Sequence, residues 1–362
     1  MKIGNTLFIP QNIAPPNAKQ LVIFDTEGKK KGNIALGNLK RKDIGPKLYS
    51  SLVISDVHTF ANKSYKDDST ANNDYIEALQ FAQDNADFTC ICGDLTCYGT
   101  TADLEHYRDI TSANKGDMPV YAIAGNHEYW GTWYPPVEEL DIPNIIQDYT
   151  GFPLHYTITN ENNPIIPEND VFIFCGCISD GLVFDESALQ WLYEQLEEHR
   201  NKRCFLFQHS FIQGSEYCGD AIEKYGNDLF YGRYRVPFVS LLSHYRNTIC
   251  FHGHSHETLN AQLYTESLDP PLPANYDHTL GCHSVHIPSL AIPYNVDSGE
   301  RVLASGKSEG YLMEVYENHI ILKGLDFVKK EFIPIATYCL DTALVNIPAK
   351  TFKDSTGIIT IR

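Results

Sequence analysis

Val120-Tyr121-Ala122-Ile123-Ala124-Gly125-Asn126-His127-Glu128 decides the reading of this chain: an apolar, β-rich run stops at a glycine and delivers an amide, an imidazole and a carboxylate in succession. The same construction recurs. Leu52 to Ser55 runs into Ser55-Asp56-Val57-His58, and Phe88 to Cys92 runs into Gly93-Asp94. Cys204 to Phe207 leads to Gln208-His209-Ser210, and Thr248 to Phe251 leads to Gly253-His254-Ser255-His256. Between these runs, Tyr75, Ala78, Leu79 and Ala82 mark one helix face, and Leu104, Tyr107 and Ile110 to Thr111 mark a second. Val171 to Cys175 reads as a further strand, followed by a helix with Leu189, Leu192 and Leu196, flanked by Trp191 and Tyr193. Polar side chains thus follow successive strands, where open α/β sheets place their sites.

The five motifs supply two carboxylates, one amide oxygen and four imidazoles, with His127 left over. That inventory fits two metal ions. If Asp94 bridges, one ion takes Asp56, His58, Asp94 and His256, and the other takes Asp94, Asn126, His209 and His254. Mixed nitrogen and oxygen ligands without thiolate suit Mn, Fe, Ni or Zn and argue against calcium. Two ions about 3.5–4 Å apart can clamp a phosphoryl group and lower the pKa of a shared water, so that hydroxide attacks in line. The expected chemistry is phosphoester hydrolysis.

Taken singly, most motifs have blander readings. Asp56-x-His58 alone reads as a strand-end cap, Gly93-Asp94 as a turn, and His209 as a packed core histidine. Gly253-His254-Ser255-His256 reads as a metal site by itself, because alternate residues on extended backbone point the same way.

At these residues the chain resembles the calcineurin-like metallophosphoesterase superfamily, whose pattern is D-x-H, GD, GNH[DE], a lone H and GHxH in that order. The resemblance covers residues 48–335, because Glu309-Gly310-Tyr311 to Phe327 also resembles the family's closing strands. It implies an α/β (α+β) fold: two packed mixed β-sheets flanked by helices, a four-layer sandwich. It also places Asp94, Asn126 and His127 at the chemistry, with His127 stabilising phosphoryl oxygens or protonating the leaving alkoxide and Glu128 supporting it. The arginine of the GDxxDRG block of protein serine/threonine phosphatases is missing, since Leu95-Thr96-Cys97-Tyr98-Gly99 follows Asp94. Purple acid phosphatases place a tyrosine three residues after the bridging aspartate, where this chain has Cys97. The block instead resembles class III phosphodiesterases, which points to a small or flexible phosphodiester. The alternatives are a phosphomonoesterase of the same fold and a non-catalytic module of a phage or surface assembly.

Substrate choice is left to inserts at 134–167, 213–237 and 264–286. The second holds Tyr217, Arg233 and Arg235 directly after His209, so it either stacks and clamps a substrate or packs as a lid. His283 and His286 either face the cleft or lie on the surface. Residues 1–47 and 336–362 read as small β appendages, better suited to docking or edge covering than to chemistry. The net charge of −18, from 28 basic and 46 acidic residues, opposes binding to a nucleic-acid duplex. The ten cysteines include no C-x-x-C; Cys90 with Cys92 and Cys175 with Cys177 are spaced to share sheet faces, so buried reduced thiols are expected. Neither a secretory signal nor a membrane span is visible, so a cytoplasmic location is expected, with a phage-particle or non-classical surface location as the alternative.

Overall fold

The computed structural model describes residues 45–63, 70–133, 138–180, 183–211, 235–245, 247–259, 282–297 and 300–341, together with strand segments at 2–3, 6–7, 20–24 and 30–35. The leading segments form two antiparallel hairpins, β1 (Lys2–Ile3) with β2 (Thr6–Leu7) and β3 (Gln20–Phe24) with β4 (Lys30–Ala35). Next come β5 (Lys47–Ile54), α1 (Ala71–Asn85), β6 (Phe88–Ile91), α2 (Thr101–Asn114) and β7 (Val120–Ala122). They are followed by α3 (Ile142–Thr150), β8 (His155–Ile158), β9 (Asp170–Cys175), α4 (Glu186–Glu198) and β10 (Arg203–Gln208). The remainder comprises α5 (Arg235–Ser243), β11 (Thr248–His252), β12 (His283–His286), β13 (Tyr294–Asp297), β14 (Glu300–Leu303), β15 (Glu309–Tyr316), β16 (His319–Asp326) and β17 (Glu331–Asp341).

Two mixed sheets result. The first has six strands in the order β17-β16-β15-β5-β6-β7, parallel from β5 to β7 and antiparallel elsewhere. The second has the order β12-β11-β10-β9-β8, parallel except at β8. Strand alternation sorts the side chains into separate cores. Phe172, Phe174, Phe205, Phe207 and Phe251 of the second sheet meet Val53, Cys90, Tyr311 and Met313 of the first. Their alternates Val171, Ile173, Cys175 and Leu206 pack on Ile146 of α3, Leu189, Leu192 and Leu196 of α4, and Phe238 of α5. Across the six-stranded sheet, Leu52, Ile54 and Ile91 meet Tyr75, Ala78, Leu79 and Ala82 of α1 and Tyr107 and Ile110 of α2. The layers are therefore helices, sheet, sheet, helices. Cys90 and Cys92 share the inner core, Cys175 and Cys177 the outer one, and the eight cysteines whose side chains are described are buried thiols.

The segment 134–167, expected to wall a cleft, supplies α3 and the edge strand β8. Helix α3 stops where Gly151 adopts φ +83°, a left-handed conformation that glycine reaches without steric cost. Strand β17 pairs with β16 as far as Asp341, so residues 336–341 extend the six-stranded sheet.

The loops that carry the candidate donors follow the C-terminal ends of β5, β6, β7, β10 and β11. The opposite end of the sandwich is tied by a buried cluster. Arg203, at the start of β10, donates from Nε and Nη2 to the two oxygens of Asp170 (2.8 and 2.5 Å), its register partner on β9. Tyr49 of β5 donates its hydroxyl to Asp170 Oδ2 (2.7 Å), which links the two sheets. All three residues are at most 5% exposed. Removing one partner leaves the other charge buried and uncompensated, so Asp170→Asn is expected to lower the unfolding free energy by about 3–5 kcal/mol. Urea denaturation reads this directly; an unchanged midpoint would show that the cluster does not hold the sheets together.

Candidate metal centre

Asp56 and His58 follow β5, Asp94 follows β6, Asn126 follows β7, His209 follows β10, and His254 and His256 follow β11. Asp56, His58, Asp94, His254 and His256 all adopt positive φ, between +50° and +71°. Such backbone is disfavoured for residues with a Cβ and clusters at functional sites. The expectation of extended backbone at Gly253-His254-Ser255-His256 is therefore corrected. The chain turns left-handed at both histidines, and they enter different groups. One group is Asp56, His58, Asp94 and His256; the other is Asp94, His209 and His254, so Asp94 belongs to both.

Each carboxylate uses one oxygen to hold backbone and turns the other inward. Asp56 Oδ2 accepts from the His254 N–H (3.0 Å) and Asp94 Oδ1 from the His127 N–H (2.9 Å). Asp56 Oδ1, Asp94 Oδ2 and Asn126 Oδ1 are buried without a hydrogen-bond partner. The imidazoles are oriented by carbonyls, which can only accept. His209 Nδ1 donates to Cys92 O (2.7 Å) and His256 Nδ1 to Ile292 O (3.1 Å). Their Nε2 atoms then face Asp94 Oδ2 at 3.2 Å and Asp56 Oδ1 at 3.1 Å. His58 Nε2 lies 3.1 Å from His256 Nε2, and His254 Nδ1 lies 3.2 Å from His209 Nε2. With Nδ1 of His209 and His256 donating to carbonyls, their Nε2 lone pairs and the facing carboxylate oxygens repel unless a proton or metal cation stands between them.

The electrostatics agree. Although burial alone would lower it, Asp94 and Asp56 push His209 up to about 9. Against the opposite effect of burial, His256 and His209 hold Asp56 below the usual carboxylate range, and His209 and His127 do the same for Asp94. Burial and neighbouring imidazoles hold His58 and His254 down, the latter to about 3. One proton on His209 is thus the smallest cation this cluster accepts. The buried, inward-turned donors fit divalent ions of borderline character.

Two motif glycines are required by close approach. A Cβ on Gly93, which sits at φ +91°, would lie 2.5 Å from His209 Nδ1; one on Gly253 would overlap Ser55 Oγ and come within 2.6 Å of Asp56 Oδ2.

His127 lies beside the cluster, its Nε2 3.8 Å from Asp94 Oδ2 and its Nδ1 donating to Cys97 O (2.6 Å). Glu128 reaches Thr96 and Gly125: Oε1 accepts from Thr96 N (2.9 Å) and Oγ1 (3.1 Å), and Oε2 from Gly125 N (2.7 Å). It braces the loops after β6 and β7, and burial together with the Asp94 charge pushes its carboxyl up to about 7. Cys97 Sγ donates to His58 O (2.9 Å) and Tyr98 packs on Trp130, so neither takes the place of a tyrosine ligand. His286 is fully buried, its Nε2 2.7 Å from Glu257 O behind the last motif, so the expected surface or cleft position is replaced by a supporting one. Tyr217 and Arg233 lie outside the described residues, Arg235 opens α5 without a described side chain, and His283 lies on β12 likewise. The sequence reading missed Trp130, whose ring stacks on His127 at 3.6 Å between centroids. Its signal was the spacing of three in His127-x-x-Trp130.

The family model for calcineurin-like phosphoesterases matches residues 49–258, from β5 through the last motif. The chain belongs to the calcineurin-like phosphoesterase family. No curated protein matches it significantly. Among solved structures, a purple acid phosphatase from yellow lupin (Lupinus luteus) seeds is similar in fold, at 12% identity and a TM-score of 0.53, over 85% of this chain and 57% of that one. This calcineurin-like chain therefore spans little more than half the lupin protein's length. Also similar are a predicted phosphoesterase from Streptococcus pneumoniae TIGR4 (11% identity, TM-score 0.34, 81% of this chain and 97% of that one) and Vacuolar Protein Sorting 29 from Cryptosporidium parvum (12%, 0.33, 80% and 96%). Divalent metals are the family's cofactors, and the Asp56, His58, Asp94 and His256 group is this member's candidate cluster. Among the described residues, no helix is long and apolar enough to cross a membrane.

Proposed function

We propose that this calcineurin-like chain is a phosphodiesterase working with two divalent cations, one held by Asp56, His58, Asp94 and His256 and the other by Asp94, Asn126, His209 and His254. The observation that carries this reading is the inward convergence of the Asp56, Asp94 and Asn126 oxygens with imidazole nitrogens, while the other carboxylate oxygens of Asp56 and Asp94 and Nδ1 of His209 are committed to backbone. When bound, the cations supply Lewis acidity to the phosphoryl oxygens and lower the pKa of water. Asp94, common to both groups, sets the spacing between them. Asn126 contributes a neutral oxygen and so adds no negative charge against an anionic ester. His127, oriented through its Nδ1–H on Cys97 O, presents Nε2 to the departing oxygen and can protonate it only as the imidazolium, a form that burial disfavours. Support for a diester is the likeness of Gly93-Asp94-Leu95-Thr96, with Gly99 and Glu105 downstream, to the class III phosphodiesterases.

Proton loss from His209 must accompany loading, because a metal ligand needs the nitrogen lone pair. Apparent Mn²⁺ affinity is therefore expected to rise with pH until His209 has lost its proton near its pKa of about 9. At 100 times the dissociation constant, bound Mn²⁺ should stabilise the fold by about 2.7 kcal/mol per ion, readable as a rise in melting temperature. The loaded protein should hydrolyse bis(p-nitrophenyl) phosphate with higher kcat/KM than p-nitrophenyl phosphate. A strong monoester preference replaces this reading with a phosphomonoesterase; metal binding without turnover of either leaves a binding module.

A further inference from the structure

The residues that follow Asn126 build a feature the metal cluster does not use. His127–Thr132 is a 3-10 helix, in which side chains three apart eclipse one another. His127 and Trp130 therefore overlap, and Trp133, at the helix C-cap, continues the file through its contact with Trp130. His127 and Trp130 stack at 3.6 Å and 25°, and Trp130 and Trp133 follow at 5.5 Å and 53°. Trp130 is anchored by its Nε1–H to Asp180 Oδ1 (2.7 Å) and flanked by Tyr98 at 6.2 Å. Exposure rises along the file, from 4% at His127 to 51% at Trp133. A large aromatic surface is thus held open to solvent one ring away from the group that meets the departing oxygen.

We propose that this file is the leaving-group subsite, and that Trp133 stacks a planar aromatic ring carried on the alcohol side of the scissile ester. The inference rests on the phosphoester hydrolase reading and on His127 marking the leaving side. A ring bonded to the leaving oxygen extends away from the cluster along the only aromatic file that begins at His127 among the described residues. Offset or tilted ring pairs are favoured at centroid separations of about 4.5–7 Å, the spacing the file already keeps within itself. Because Trp130 is fixed by Asp180, the shelf is pre-organised and little ordering accompanies binding.

The test compares, in the Mn²⁺-loaded full chain, two methyl phosphodiesters whose leaving groups are matched in pKa, one a phenol and the other a fluorinated alcohol. Wild type should favour the aryl ester by about 10-fold in KM. Trp133→Ala should bring that ratio towards one, and Trp133→Phe should retain most of it. A second readout needs no turnover: benzylphosphonate should quench tryptophan fluorescence at lower concentration than propylphosphonate in wild type, with the gap closing in Trp133→Ala. An equal KM for both esters in wild type, or a ratio that Trp133→Ala leaves intact, overturns the subsite while the hydrolase stands. Absence of turnover for both esters overturns the hydrolase reading instead, and the subsite with it.

Discussion

Asp94→Asn is expected to abolish turnover and strip both cations while leaving the fold intact. Asp94 Oδ1 accepts the His127 N–H at 2.9 Å, and an asparagine oxygen keeps that bond. The amide nitrogen then stands where Asp94 Oδ2 stood, 3.2 Å from His209 Nε2, and donates to its lone pair. The metal-free variant thus gains a neutral hydrogen bond where the wild type has a charge-bearing contact, and its melting temperature without metal should be no lower. What disappears is the negative charge shared by both groups. Mn²⁺ should therefore no longer raise the melting temperature, and bound metal measured by elemental analysis should fall with activity. A variant that keeps two metals per chain and wild-type turnover would remove Asp94 from the bridging role.

His127→Ala should separate metal binding from chemistry. The imidazole is held by Cys97 O and by Trp130, and its Nε2 lies 3.8 Å from Asp94 Oδ2. Its removal should spare metal content and lower kcat by about 10²- to 10⁴-fold, the usual range for a lost general acid. The loss should be greatest for esters with poor leaving groups, where proton transfer matters most, and should shrink as the leaving-group pKa falls. An equal loss for all leaving groups assigns His127 to stabilising the phosphoryl oxygens instead. The same variant opens space beside Trp130, so stability is to be measured alongside; loss of metal as well as activity would make His127 part of the cluster's support.

The sequence by itself determined the elements and the donors. Short, nearly continuous apolar runs at Leu52 to Ser55, Phe88 to Cys92, Val171 to Cys175, Cys204 to Phe207 and Thr248 to Phe251 are strands, because a strand buried on both faces needs apolar side chains at successive positions. The stripes Tyr75-Ala78-Leu79-Ala82 and Leu189-Leu192-Leu196 are helix faces for the equally local reason of a 3.6-residue turn. The donors were legible as well, because each motif ends such a run. Coordination arithmetic already divided His254 and His256 between two groups, but only tertiary structure decided how that division is held. Asp56 and His254 are 198 residues apart, as are His58 and His256, and the fold gathers them into the two groups. That division follows from left-handed backbone at His254 and His256, which is held by long-range contacts such as the Asp56 carboxylate on the His254 N–H. The brace of Glu128 on Thr96, the tie of Tyr49 and Arg203 through Asp170, and the edge strand β8 within 134–167 likewise depend on partners far along the chain. Periodicity reports which face of an element is buried; only the packed sheets report which buried polar groups then find one another.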